Sequence, residues 1–247
     1  MTDPNKRIWH EYSVANAKNP AQLHRWRLIV REVEAAASPG PVIVDLGCGS
    51  GALLKRLGVL DGATLIGVDM EPRALEIART QVPEGRFYRA DLDNVNNDEL
   101  ESLAGRADVV TCSEVLEHLS KPEVALDLAA RLLRENGTLV VTVPSGPMNA
   151  FDRSIGHRRH YSVAVLSELL DSRAFRVGRC YRWGFPFHSA YRMAIGALPS
   201  AVEGFSDTRL TKGKRALFRF LDLLFHCNVR SRRLGRQLVA VASRRRT

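Results

Sequence analysis

Long apolar runs are missing from this sequence. No stretch approaches the roughly 18 consecutive apolar residues that a membrane-spanning helix needs, so a transmembrane protein is not expected. The opening residues, Met1 to Tyr12, are polar and lack a signal-peptide core; secretion is therefore not expected, and a cytoplasmic setting is. Cysteine is sparse. Cys48, Cys112, Cys180 and Cys227 lie far apart and form no CxxC pair, which argues against a zinc module, a metal site or a disulfide scaffold. No internal repeat is present. Acidic residues are nearly absent from one segment: between Asp207 and Thr247, twelve Lys and Arg stand against Asp207 and Asp222 alone. The whole chain has 36 basic and 27 acidic residues, a formal +9, so residues 1–206 hold 24 basic and 25 acidic groups. A near-neutral body is joined to one basic element, which is the only part whose charge invites an anionic partner.

What the chain does have is 247 residues, 45% of them hydrophobic, ample for one large domain with a core. Leu23, Trp26, Ile29, Val30 and Val33 recur at helical spacing until Ser38-Pro39-Gly40-Pro41 breaks the pattern. Short apolar runs follow at Val42 to Leu46, Thr64 to Val68, Arg86 to Ala90, Asp108 to Cys112 and Thr138 to Val143. Helical segments separate them: Ala52 to Leu57, Pro72 to Thr80, Asp98 to Leu103 and Pro122 to Leu133. This alternation predicts an α/β fold with a parallel, doubly wound sheet whose ligands sit at the carboxyl ends of the strands. Further on, Ser162 to Leu170 reads as a helix, and Phe175 to Trp183 and Arg236 to Ala242 read as strands. The expected organisation is a helical cap over 1–40, a core over 41–183, an insertion forming a substrate cap over 184–234, and a final strand with a basic tail over 235–247.

The sharpest local signal is Val42-Ile43-Val44-Asp45-Leu46-Gly47-Cys48-Gly49-Ser50-Gly51. A strand running through glycines into a helix lets a ligand approach the backbone closely. The spacing is GxGxG and not the GxGxxG of pyrophosphate binders, and Asp45 would repel a pyrophosphate while suiting a cationic, amino-acid-like ligand. The second strand ends at Asp69, about twenty residues on, where a carboxylate can grip ribose hydroxyls. The third leads to Asp91, placed to accept from an adenine amino group. Three acids at three successive strand ends describe one adenosine-shaped site.

Taken together, Asp45 to Gly51, Gly67-Val68-Asp69-Met70, Ala90-Asp91-Leu92 and Ser113-Glu114-Val115-Leu116-Glu117-His118-Leu119 resemble the successive motifs of class I S-adenosylmethionine-dependent methyltransferases. The closest resemblance is to the small-molecule branch that holds the ubiquinone-biosynthesis O-methyltransferases. It covers Arg27 to Val143 and implies a Rossmann-like fold, S-adenosylmethionine as cofactor and S-adenosylhomocysteine as product. It further implies that Gly47, Gly49 and Gly51, with Asp45 and Cys48, line the methionine moiety, that Asp69 binds ribose, and that Asp91 and Leu92 flank the adenine beside an apolar Met70. Ser113 would sit under the cofactor, and Arg27, of the Arg27-Leu28 pair, would reach the cofactor region.

On the acceptor side, His157 and His160 stand three residues apart beside Arg158 and Arg159. They are the candidate catalytic residues, able to combine proton abstraction with recognition of an anion; the alternative is a polar lid. Glu117 and His118 are read as opening a helix, with a direct catalytic role as the alternative. Trp183, Phe185, Phe187, His188, Tyr191 and Met193 cluster around Pro186, which suits an aromatic acceptor or makes a small core for the cap. Trp9 and Tyr12 could close over the same cleft. Arg215, Arg219, Asp222, His226, Arg230 and Arg233 share one helical face, with Leu217, Phe220, Leu221, Leu224 and Cys227 opposite. That predicts one amphipathic helix, whose basic side is solvated or meets anionic lipid, an anionic substrate or nucleic acid.

The expected function is methyl transfer to an oxygen or nitrogen of a small-molecule acceptor with anionic or aromatic character, with peripheral membrane contact through 215–233 as a further partner. RNA or other nucleic-acid methylation is the main alternative. Against it, the Asn/Asp-Pro-Pro-aromatic motif of amino-group DNA methyltransferases is replaced by Cys112-Ser113-Glu114-Val115, and the basic residues are not interleaved with stacking aromatics. An NAD-dependent oxidoreductase would need the longer glycine spacing and a catalytic Tyr-Lys pair. A non-enzymatic relative that merely kept the fold would not need the intact loop and its three acids.

Overall fold

The computed structural model describes residues 19–95, 98–197, 211–231 and 233–245; Trp9 and Tyr12 lie outside them. The first helix among the described residues, α1 (Pro20–Ala36), starts where Asn19 accepts a hydrogen bond from the Ala21 amide at 2.9 Å and Pro20 occupies the first turn, a position that needs no amide donor. Alternating strands and helices follow: β1 (Val42–Leu46), α2 (Ala52–Leu57), β2 (Thr64–Asp69), α3 (Pro72–Gln81), β3 (Arg86–Arg89), α4 (Asp98–Glu101), β4 (Ala107–Ser113), α5 (Pro122–Leu132) and β5 (Leu133–Pro144). Beyond them come α6 (Ala150–Ser154), α7 (Val163–Asp171), β6 (Phe175–Phe185), α8 (Phe187–Ala197), α9 (Lys212–His226), β7 (Val229–Ser231) and β8 (Gln237–Arg244).

The strands form one sheet in the order β3-β2-β1-β4-β5-β8-β6-β7. The five strands from β3 to β5 are parallel, as the alternation predicts. The later strands, whose direction the sequence leaves open, run the other way: β8 is antiparallel to both β5 and β6, and β7 pairs antiparallel with β6. Periodicity reports which faces are buried and carries no information on strand direction. β8 therefore inserts between two strands made before it, filling the gap that the connection from β5 to β6 leaves.

Both sheet faces are covered. Val44, Leu46, Ile66, Val68, Val110, Cys112, Leu139 and Val141 pack towards α5 and α7 through Leu126, Ala129, Leu166 and Leu170. The residues between them, Ile43, Leu65, Val109 and Val140, pack on the other face against Trp26, Ile29 and Val33 of α1 and Leu54, Leu75 and Ala78 of α2 and α3. This period-two division follows from the pleat, and strands buried on both faces must read as continuous apolar runs. Each fully buried Leu or Ile contributes on the order of 1.5–3 kcal/mol.

Register fixes the site. Asp45 pairs with Gly67 and Thr111, and Leu46 with Val68 and Cys112. The carboxyl ends of β1, β2 and β4 thus finish level, which brings the glycine loop, Asp69 and Ser113 to one edge of the sheet.

Candidate functional site

The loop after β1 is held by the end of β2. The amides of Gly47 and Cys48 both donate to the Val68 carbonyl, at 2.8 and 3.0 Å. Gly47 and Gly51 have φ of 75° and 79°, where a side chain is strained. A Cβ on Gly47 would come within 2.3 Å of Val115, whereas one on Gly49 would enter open space. The first glycine therefore serves packing, and the second leaves room beside the backbone.

Asp69 organises this edge. Its Oδ2 accepts from the Gly49 amide at 2.8 Å and its Oδ1 from the Glu71 amide at 2.9 Å, tying the glycine loop to the start of α3. Each oxygen keeps a second lone pair, so a diol can still be received. Met70 is 62% exposed and Asp91 is exposed, while Leu92 is buried. Asp91 spends one oxygen on the Asp93 amide at 2.9 Å. Asp45 lies beneath the loop, accepting from Thr111 Oγ1 at 2.6 Å, and burial, opposed by that bond and reinforced by Asp69, pushes its carboxyl up to about 7. Burial also pushes the Cys48 thiol up, so Cys48 is a small filler against Gly67 and Phe87 and not a nucleophile. Ser113 Oγ is 2.8 Å from Thr142 Oγ1 on β5.

A model of the methyltransferase domain family matches residues 17–178. The chain belongs to that family. The ubiquinone biosynthesis O-methyltransferase of Thiobacillus denitrificans (strain ATCC 25259 / T1) is 34% identical over 137 residues, 55% of this chain and 53% of that protein. The mitochondrial ubiquinone biosynthesis O-methyltransferase of Schizosaccharomyces pombe (strain 972 / ATCC 24843) is 36% identical over 115 residues, 43% and 39% of the two chains. The chain thus spans about half the length of the curated relatives it matches. Among solved structures, a geranyl diphosphate methyltransferase superposes with a TM-score of 0.60 at 13% identity, covering 90% of this chain and 78% of that one. At that identity the likeness speaks for the fold.

The fold places Arg27 away from the strand ends. Its guanidinium grips both oxygens of Asp222 on α9, at 2.6 and 2.9 Å, so the structure does not bring Arg27 to the glycine loop and Asp69. Arg25, two residues earlier, reaches it instead: Nη2 lies 3.1 Å from Glu114 Oε2. Glu114 follows directly on Ser113 with φ of 57°, and its Oε1 accepts from Gln237 Nε2 of β8 at 2.6 Å. Arg25, Glu114 and Gln237 come from three distant parts of the sequence, and no local pattern announces their meeting.

Beside this clamp sits a histidine cluster. His160 Nδ1 is 3.0 Å from the Gly146 carbonyl, so Nδ1 carries the proton and Nε2 is an acceptor; His157 Nδ1, 3.0 Å away, must then donate to it. That leaves His157 Nε2 bare, 4.0 Å from Glu117 Oε1. Burial lowers both imidazoles, His157 to about 4. Glu117 does not open a helix, since α5 begins at Pro122; it is a fully buried turn residue with both oxygens lacking hydrogen-bond partners, and burial raises its carboxyl well above the usual range. Asp152 completes the group, 3.7 Å from His160 Nε2 and 2.6 Å from Arg192 Nη2 of α8. Arg158 and Arg159 turn outwards to the carbonyls of His118 and Ser120 and do not converge with the histidines.

The aromatic cluster divides. Trp183 and His188 are buried, with Trp183 stacked on His24 at 4.5 Å and Phe225 of α9 set edge-on to His188 at 5.6 Å; these rings form the core beneath α8 and α9. Phe185 and Met193 are exposed.

Proposed function

We propose that the protein is an S-adenosylmethionine-dependent methyltransferase acting on an oxygen or nitrogen of a small-molecule acceptor. The observation that carries the reading is the convergence of the Gly49 backbone, with open space beside it, and the Asp69 carboxylate, with a free lone pair on each oxygen. These residues fit the group: Gly47 to Gly51 and Asp45 suit an amino-acid end, Asp69 a ribose, and Met70, Asp91 and Leu92 an adenine. The cofactor, when bound, supplies a methyl group already activated on a sulfonium sulfur. What remains for the chain is to bind, orient and exclude water.

On the acceptor side, the tautomers set by Gly146 make His157 Nε2 the one bare ring nitrogen of the pair, and so the atom that can take a proton. His160 orients it. The acceptor is read as having an anionic or aromatic part, because Arg192 of α8 stands beside the histidine group, held there by Asp152.

Titration calorimetry tests the cofactor assignment. S-adenosylhomocysteine should bind and NAD should not, and Asp69→Ala should weaken binding by about 1–3 kcal/mol. Tight NAD binding with no response to S-adenosylhomocysteine would overturn the reading. At equal cofactor occupancy, His157→Ala should lower turnover by roughly a hundredfold or more and His160→Ala by less. Full turnover in both variants would reduce the pair to a lid.

A further inference from the structure

The expected amphipathic helix exists, but its orientation is unlike that of an ordinary surface helix. α9 is fixed against α1 by one face: Phe218 and Phe225 are buried, and Asp222 is held by Arg27. The opposite face points to solvent and is apolar. Ala216, Phe220 and Leu223 are exposed and spaced four and three residues apart, which makes them one stripe, and exposed Cys227, which caps the helix, extends it. Phe220 is 57% and Leu223 66% exposed, with Leu217 beside them at 45%. A surface helix normally turns such residues inwards, and α9 has apolar residues on both sides. Its exposed flank carries Lys212, Arg215 and Arg219, and its one acid, Asp222, is already neutralised by Arg27. Arg230 and Arg233 follow in sequence. The helix does not continue through them, since it ends at His226 and Arg230 belongs to β7.

We propose that the Ala216–Phe220–Leu223 face of α9 docks on an anionic membrane surface. An in-plane helix that buries large apolar side chains among the acyl chains, while basic residues at its edge meet lipid head groups, has this distribution. Charge decides between occupants: exposed Lys212, Arg215 and Arg219 border the apolar face, and the one acid of α9, Asp222, is turned to Arg27, which favours an anionic surface, whereas a second copy of the chain would bring the same positive charge to the contact. The inference is independent of the cofactor assignment.

The test uses the full chain with Phe220→Cys in a Cys227→Ser background, carrying a polarity-sensitive fluorophore at position 220. Vesicles of phosphatidylcholine mixed with phosphatidylglycerol should shift its emission to the blue, vesicles of phosphatidylcholine alone should do so far less, and added salt should reverse the shift. In sedimentation with unlabelled protein, Phe220→Ser combined with Leu223→Ser should weaken binding to the anionic vesicles by about a hundredfold. Both positions are exposed, so the fold should survive; unchanged calorimetric binding of S-adenosylhomocysteine verifies it, and circular dichroism does so independently if the cofactor reading fails. A blue emission that depends on protein concentration without lipid would assign the face to a second copy, and one present at all concentrations without lipid would assign it to this chain's own segments. Either result, or wild-type vesicle binding by the double variant, overturns the proposal.

Discussion

At the scale of single residues, the site depends on carboxyl groups placed in three different environments. Asp69 is held by two backbone amides, Asp91 is exposed, and Asp45 is buried with one hydroxyl partner. These differences give the protein a characteristic response to pH. Asp45 has a folded-state pKa raised from 3.8 to about 7, so its stabilising contribution is complete below 3.8 and is lost as pH rises through 7. His24 and His157 are lowered from 6.5 to about 4; what they contribute is present above 6.5 and lost as pH falls through 4. The Asn side chain keeps an oxygen for Thr111 and cannot ionise. Asp45→Asn should therefore gain stability over the wild type as pH rises from 5 to 8, in urea titrations at the two values. It should also bind S-adenosylhomocysteine more weakly, because an amide cannot pair with the ligand's ammonium group. Parallel stability curves for the two proteins would show that Asp45 does not hold its proton in the fold. The acids were legible in the sequence because each stands at or beside the end of a strand. Their differing charge states were not, since burial and the Thr111 contact arise only when β1 and β4 pair.

At the scale of elements, α1 is the piece whose role the sequence placed imperfectly. Its apolar spacing predicts a helix, and the helix is there, but Arg25 and Arg27 depend on partners far along the chain. Arg27 pairs with Asp222, 195 residues away, and Arg25 with Glu114. The two pairs differ in kind. The Arg27 side chain is 44% exposed and its partner 25%, so water screens the contact, while Arg25 and Glu114 are at 9% and 19%. Removing an exposed partner typically costs 0–1 kcal/mol, whereas leaving a largely buried carboxylate unpaired costs on the order of 3 kcal/mol. Arg25→Ala should accordingly lower the free energy of urea unfolding several-fold more than Arg27→Ala, and should also weaken cofactor binding, because Glu114 adjoins Ser113. Equal losses in the two variants would mean that the Arg25 clamp carries no special weight. Composition marks both arginines as basic and helical, and nothing local distinguishes the one that turns to the strand ends.

At the scale of the whole molecule, the parallel half of the sheet was readable from its repeating strand and helix units, and the antiparallel half was not. β8 reads as an apolar strand of unknown partner; only the fold shows it lying between β5 and β6, roughly a hundred residues after β5. That placement joins the last described strand to the end of β4. Gln237 opens β8 and donates to Glu114, while Leu238, Val239, Ala240 and Ala242 are buried. A chain ending before Gln237 would lose four buried apolar side chains and the Glu114 contact together. It would also expose facing edges of β5 and β6, and unpaired edges of apolar strands associate with one another. The truncated chain should therefore lack a cooperative thermal transition by circular dichroism and should aggregate. Adding a synthetic peptide of residues 236–247 during refolding should recover part of the transition, because β8 has its own complete set of ladder partners on both sides. A truncated chain that melts as sharply as the full one would show that the parallel half folds alone, with β8 closing the sheet only afterwards.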